Sequence, residues 1–72
     1  MKGETKEQRF KRVAERRVRR VLDSFRGLSQ CSNKRMYNWD EKQLRKMWDA
    51  INQAFKGCQD SYKSAEPEEF KL

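Results

Sequence analysis

Five arginines, Arg9, Arg12, Arg16, Arg19 and Arg20, fall close together in the first third of the sequence, mostly three or four residues apart. A guanidinium is planar and offers paired donors that match two phosphate oxygens at once. A row of such groups along one side of a helix can follow a nucleic-acid backbone, and Arg26, Lys34 and Arg35 extend the set. The same face has a plainer reading. Glu15 and Asp23 can pair with neighbouring arginines, leaving a solvated helix surface or one that meets an acidic protein. A pI near 9.8 meets the criterion for a nucleic-acid-binding domain, yet no recognition motif accompanies it, so both readings stand.

Other chemistry has little to work with. There is no histidine, no glycine-rich phosphate loop and no nucleophile beside an evident base, so a non-enzyme is expected. No metal site or cofactor is expected either, because Cys31 and Cys58 are far apart rather than at ligand spacing. A chain rich in Lys and Arg, without an evident signal peptide, points to two buried thiols in a reducing cytoplasm, with a single disulfide as the alternative. Tyr37, Trp39 and Trp48 have rings suited to base stacking. Trp39 and Trp48 fall where core packing is expected, which leaves Tyr37 open.

The arginines need an element to align them. Phe10, Val13, Ala14, Val18, Val21, Leu22 and Phe25 recur at helical spacing from about Thr5 to Arg26, with Leu28 continuing the series. The arginines project from the opposite side of this stripe, apart from Arg17, which falls within the apolar arc and can snorkel to water or to a carboxylate. Gly27 is the expected stop, since a residue without a Cβ adopts the left-handed closing conformation easily. From Leu28 to Trp39 we expect an ordered connection that caps the core through residues such as Leu28, Met36 and Tyr37.

The second helix starts at a capping box, with Asp40 as the cap, Gln43 reaching back and Trp39 stapled on Leu44. Leu44, Met47, Trp48, Ile51, Ala54, Phe55, Cys58 and Tyr62 then share a face, predicting a helix to about Tyr62. Gly57 costs about 1 kcal/mol inside a helix, which offers an earlier stop near Lys56. Pro67 among Glu66, Glu68 and Glu69 points to a mobile acidic tail.

The expected organisation is thus a helical domain over 1–63 and a tail over 64–72. The fold class is all-α: a two-helix antiparallel hairpin with an ordered connecting loop. Two paired helices leave Phe25, Trp48 and Phe55 poorly covered, which favours a homodimer forming a four-helix bundle, or a protein partner; the alternative is a monomer closed by the loop. The charge is lopsided. Residues 1–36 hold twelve Lys/Arg against four Asp/Glu, a net +8, while residues 37–72 come to −1. No apolar run approaches the roughly 20 residues needed to cross a bilayer, and a cytoplasmic protein is expected.

The stretch from Phe10 to Phe55 resembles a family of short helical proteins of bacterial genomes and mobile elements, to which no activity is attached. The resemblance is carried by the basic helix ending at Leu28, then Ser32, Asn33 and Lys34, then Tyr37, Trp39, Asp40 and Glu41 leading into Leu44, Trp48 and Ile51. Where that family reads Leu-Gly-Asn-Leu-Ser-Asn-Arg, this chain has Ser29, Gln30 and Cys31 at the Gly, Asn and second Leu. The resemblance implies a helical hairpin. By size and charge it also suggests an alternative function, a phage- or mobile-element-type inhibitor or adaptor that binds a host or defence protein complex, with or without RNA.

Overall fold

The computed structural model describes residues 3–65. Two α-helices, α1 (Lys6–Gln30) and α2 (Glu41–Ala65), make up most of that stretch, with no strand among the described residues, so the chain is all-α. It divides into two units, Met1–Asn38 built on α1 and Trp39–Leu72 built on α2.

α1 begins where an extended Thr5 (φ −72°, ψ 164°) turns into the helix. The Thr5 hydroxyl accepts from the Gln8 N–H at 3.1 Å, and the Gln8 side chain accepts from the Thr5 N–H at 2.9 Å. Two first-turn donors that the helix cannot satisfy are thereby paired. Glu7 adds a negative charge where the helix dipole is positive.

The expected stop at Gly27 is overturned: α1 runs on to Gln30, and no residue of positive φ is found among the described residues. Gly27 tolerates either hand but does not compel the left-handed one. The last turn instead closes right-handed, with the Cys31 N–H reaching the Leu28 carbonyl at 3.1 Å and the Ser32 N–H reaching Ser29 at 3.1 Å. The Ser32 hydroxyl also donates to the Ser29 carbonyl at 2.7 Å, covering an acceptor that a left-handed cap would otherwise satisfy.

Past α1 the chain is ordered by its own hydrogen bonds. The Asn33 carbonyl accepts from the N–H groups of Met36 and Tyr37 at 3.1 and 2.9 Å, while its side chain accepts from the Arg35 N–H at 3.0 Å. This is an Asx-type turn, the reason asparagine suits the position. The connection does not cap a core, however: Met36 is 72% exposed and Tyr37 48%.

α2 opens as its sequence predicts. The Gln43 N–H donates to Asp40 Oδ1 at 2.8 Å and the Asp40 N–H donates to Gln43 Oε1 at 3.1 Å. Trp39 and Leu44, the two staple positions, are both half-buried. The helix passes through Gly57 and through Tyr62 to Ala65, where the Ser61 and Ser64 hydroxyls donate back to the Gly57 and Ser61 carbonyls. Ser64 and Ala65 are therefore helical, and the acidic segment 66–72 lies outside the described residues.

Neither helix contains a buried residue. The apolar stripes exist as expected, but Phe25, Trp48 and Phe55 are 42, 46 and 62% exposed. Core packing of Trp48 is thus corrected. So is the burial of the thiols, since Cys31 and Cys58 are free and exposed. Among the described residues no helix is long and apolar enough to cross a membrane.

Candidate nucleic-acid interface

α1 sets the geometry of the basic residues. At 100° per residue Arg9, Arg12, Arg16, Arg19, Arg20 and Arg26 fall in an arc about 120° wide, spread over about 26 Å of helix axis. All six are exposed. Lys34 and Arg35 lie on the turn that follows, also exposed, so the structure places them off the helical arc. Arg17 is exposed despite its position within the apolar arc.

Three carboxylates decide how much of this face is uncommitted. Glu4, in the extended segment before the helix, takes Arg12 in a bidentate pair, Nε to Oε2 at 2.8 Å and Nη2 to Oε1 at 3.0 Å. Arg9 adds a longer contact to the same carboxylate at 3.8 Å. The hydrogen bonds from Arg12 hold the Glu4 carboxyl below its ordinary value of 4.5, and Glu4 in turn raises the Arg12 pKa. Farther along, Asp23 Oδ1 accepts from Arg26 at 3.0 Å. Asp23 falls near the middle of the arginine arc, so it breaks the patch between Arg20 and Arg26.

Glu15, the other expected partner, makes no ion pair among the described residues. The same holds for Arg16, Arg19 and Arg20. The guanidiniums at the centre of the face are therefore the ones left for another partner, while those at its two ends are engaged within the chain.

Glu4 was not among the expected partners, since it precedes the helix and helical periodicity assigns it no angle. The signal lay in side-chain direction: long helical side chains lean toward the N-terminus, which brings Arg9 and Arg12 back toward the residues before Thr5. The Thr5 and Gln8 box follows the same spacing, a capping side chain with Gln three residues later, that marks Asp40 and Gln43.

No family model, curated protein or solved structure matches this chain. Among the described residues no group of three His, Cys, Asp or Glu is placed to hold a metal ion. The surface chemistry on offer at α1 is that of a dense set of guanidiniums.

Proposed function

We propose that this chain is a small basic binding protein that contacts nucleic-acid phosphates through α1. One observation carries the reading: Arg16, Arg19 and Arg20 stand together on an exposed face with no ion pair among the described residues. Arginines in such a state have their full bidentate capacity for phosphate, and the net +7 of the chain adds long-range attraction to a polyanion. The face has no companion motif for base edges, so the binding is expected to follow the backbone rather than the sequence.

The experiment is a titration of labelled duplex DNA and RNA at two salt concentrations. Three phosphate contacts predict a loss of affinity on the order of 40-fold between about 50 and 200 mM salt. Absence of binding at the lower salt overturns the proposal.

A second reading rests on a different observation. Val18, Val21, Leu22 and Phe25 are 42 to 54% exposed on the other side of the same helix, an apolar surface that a nucleic acid does not use. An inhibitor or adaptor docking on an acidic protein surface would use both sides of α1. Its mark is a protein captured from host extract whose binding is lost in a Val21→Glu variant as well as on arginine reversal, whereas phosphate binding survives Val21→Glu.

A further inference from the structure

α2 presents its apolar residues at alternating steps of four and three: Leu44, Trp48, Ile51, Phe55, Cys58 and Tyr62. That pattern is a seven-residue repeat, the seam of a coiled coil, and it runs over about 27 Å of helix axis. The repeat sorts by size. One set, Trp48, Phe55 and Tyr62, is entirely aromatic, and the other, Leu44, Ile51 and Cys58, is smaller. No residue of α2 is buried, although Leu44, Met47 and Ile51 are half-covered. Amphipathic helices draw most of their stability from packing of the apolar face, so this seam needs cover.

Charge, volume and length together select a second copy of the same helix. The positions bordering the seam are Met47, Ala54 and Ser61 on one side and Arg45, Asn52 and Gln59 on the other, with a single charge among them. When two copies run antiparallel, Ala54 faces Ala54, Met47 faces Ser61 and Arg45 faces Gln59, so no like charges meet. Volume then fixes the orientation. Antiparallel pairing sets Trp48 against Cys58, Phe55 against Ile51 and Tyr62 against Leu44, one aromatic and one smaller side chain in every layer. Parallel pairing would instead stack each aromatic on its own counterpart and leave the Cys58 layer loose, against the uniform density that packed interfaces hold. In length, α1 carries the same step pattern only from Ala14 to Leu28, and the positions before Ala14 in that register are Lys11 and Glu7. Self-pairing of α2 matches the whole seam.

We infer that α2 is a homodimerisation helix, pairing antiparallel with a second copy through Trp48, Phe55 and Tyr62 set against Cys58, Ile51 and Leu44. The inference is independent of what α1 binds.

Light scattering and sedimentation equilibrium of the full chain, from micromolar concentrations upward, test it. The expected mass is twice the 8.8 kDa of one chain. Phe55→Glu should return it to the single-chain mass, and Lys56→Glu on the opposite face should leave the dimer intact. Should Phe55→Glu unfold, cross-linking decides: in a chain with Cys31→Ser and Cys58→Ser, Ala54→Cys should oxidise to a covalent dimer while Gln53→Cys, placed off the seam, does not. A single-chain mass at every concentration overturns the inference. A dimer that persists in a folded Phe55→Glu variant also overturns it, as does failure of Ala54→Cys to cross-link. Rapid Cys58 to Cys58 cross-linking in the native sequence would overturn the antiparallel order.

Discussion

The Arg12 guanidinium reaches back past two helical turns to grip both oxygens of Glu4, at 2.8 and 3.0 Å. The pair ties the extended N-terminal segment to α1 and neutralises one end of the arginine face. Its hydrogen bonds favour the ionised carboxylate, so the Glu4 pKa lies below 4.5. A depressed carboxyl contributes stability that is present above its unfolded value and is lost as pH falls through its lowered folded value. The groups are solvent-exposed, so the effect should be visible in the titration itself rather than as a large change in stability. We expect the Glu4 carboxyl resonance to titrate with a midpoint below 4.5, moving upward in Arg12→Ala. An unshifted midpoint in the native chain would remove the pair from solution.

Releasing that pair should strengthen phosphate binding. Glu4→Gln leaves Arg12 and Arg9 without their carboxylate while keeping the side chain's size. Exposed pairs of this kind are weak, so affinity for duplex DNA at low salt should rise severalfold at most. The dependence of affinity on salt should steepen by about one phosphate contact. Weaker binding in this variant would show that Glu4 helps the interface rather than restraining it.

The arginines should not contribute equally. Among the described residues Arg16, Arg19 and Arg20 have no carboxylate to leave, whereas Arg26 must give up Asp23 before it can serve a phosphate. Each single change of the central three to Ala is expected to lower affinity and to reduce the salt slope by about one. Arg26→Ala should do distinctly less. Reversal of all three central residues to Glu should abolish binding with the helical circular-dichroism signal retained. Equal losses at all four positions would mean that net charge alone, not this face, attracts the ligand.

The helices were legible in the sequence because each is written twice, once in a stripe at helical spacing and once in a starting signal. Asp40 and Gln43 form the box that their spacing announces. The ends were harder to read. Gly27 and Gly57 each suggested a stop, yet a glycine permits a break without requiring one, and the helices run on to Gln30 and Ala65. Burial was the larger gap. A stripe such as Val21, Phe25 or Phe55 says which face seeks cover but not what covers it, and in the structure those side chains remain exposed. For the arginines the sequence supplied the face and the Asp23 partner of Arg26. The partition into engaged ends and an uncommitted centre depended on Glu4, which lies outside the periodic part of the chain.

The two capping boxes offer a matched pair of tests. Thr5 and Asp40 each accept an N–H of the first turn, at 3.1 and 2.8 Å. Replacing either with Ala leaves that donor without its side-chain partner, at a cost of about 1 kcal/mol to the helix it starts. Residue-resolved hydrogen exchange should localise the loss to the first turns of α1 for Thr5→Ala and of α2 for Asp40→Ala. Protection that falls equally in both helices after one change would mean they unfold as one unit.

Gly27 and Gly57 give opposite expectations under the two accounts of how these helices end. Were Gly27 a left-handed cap, alanine there would be strained and α1 would shorten. In the structure both glycines are interior to right-handed helices, and an added Cβ would meet no atom within 4 Å at either site. Alanine in a helix interior is favoured over glycine by roughly 1 kcal/mol, mainly because the unfolded chain loses conformational freedom. Gly27→Ala and Gly57→Ala should therefore each raise helical content and the melting temperature, and the two gains should add, since the sites lie on different helices. A lowered melting temperature in Gly27→Ala would restore the left-handed cap and end α1 before Gly27, well ahead of the turn that carries Lys34 and Arg35.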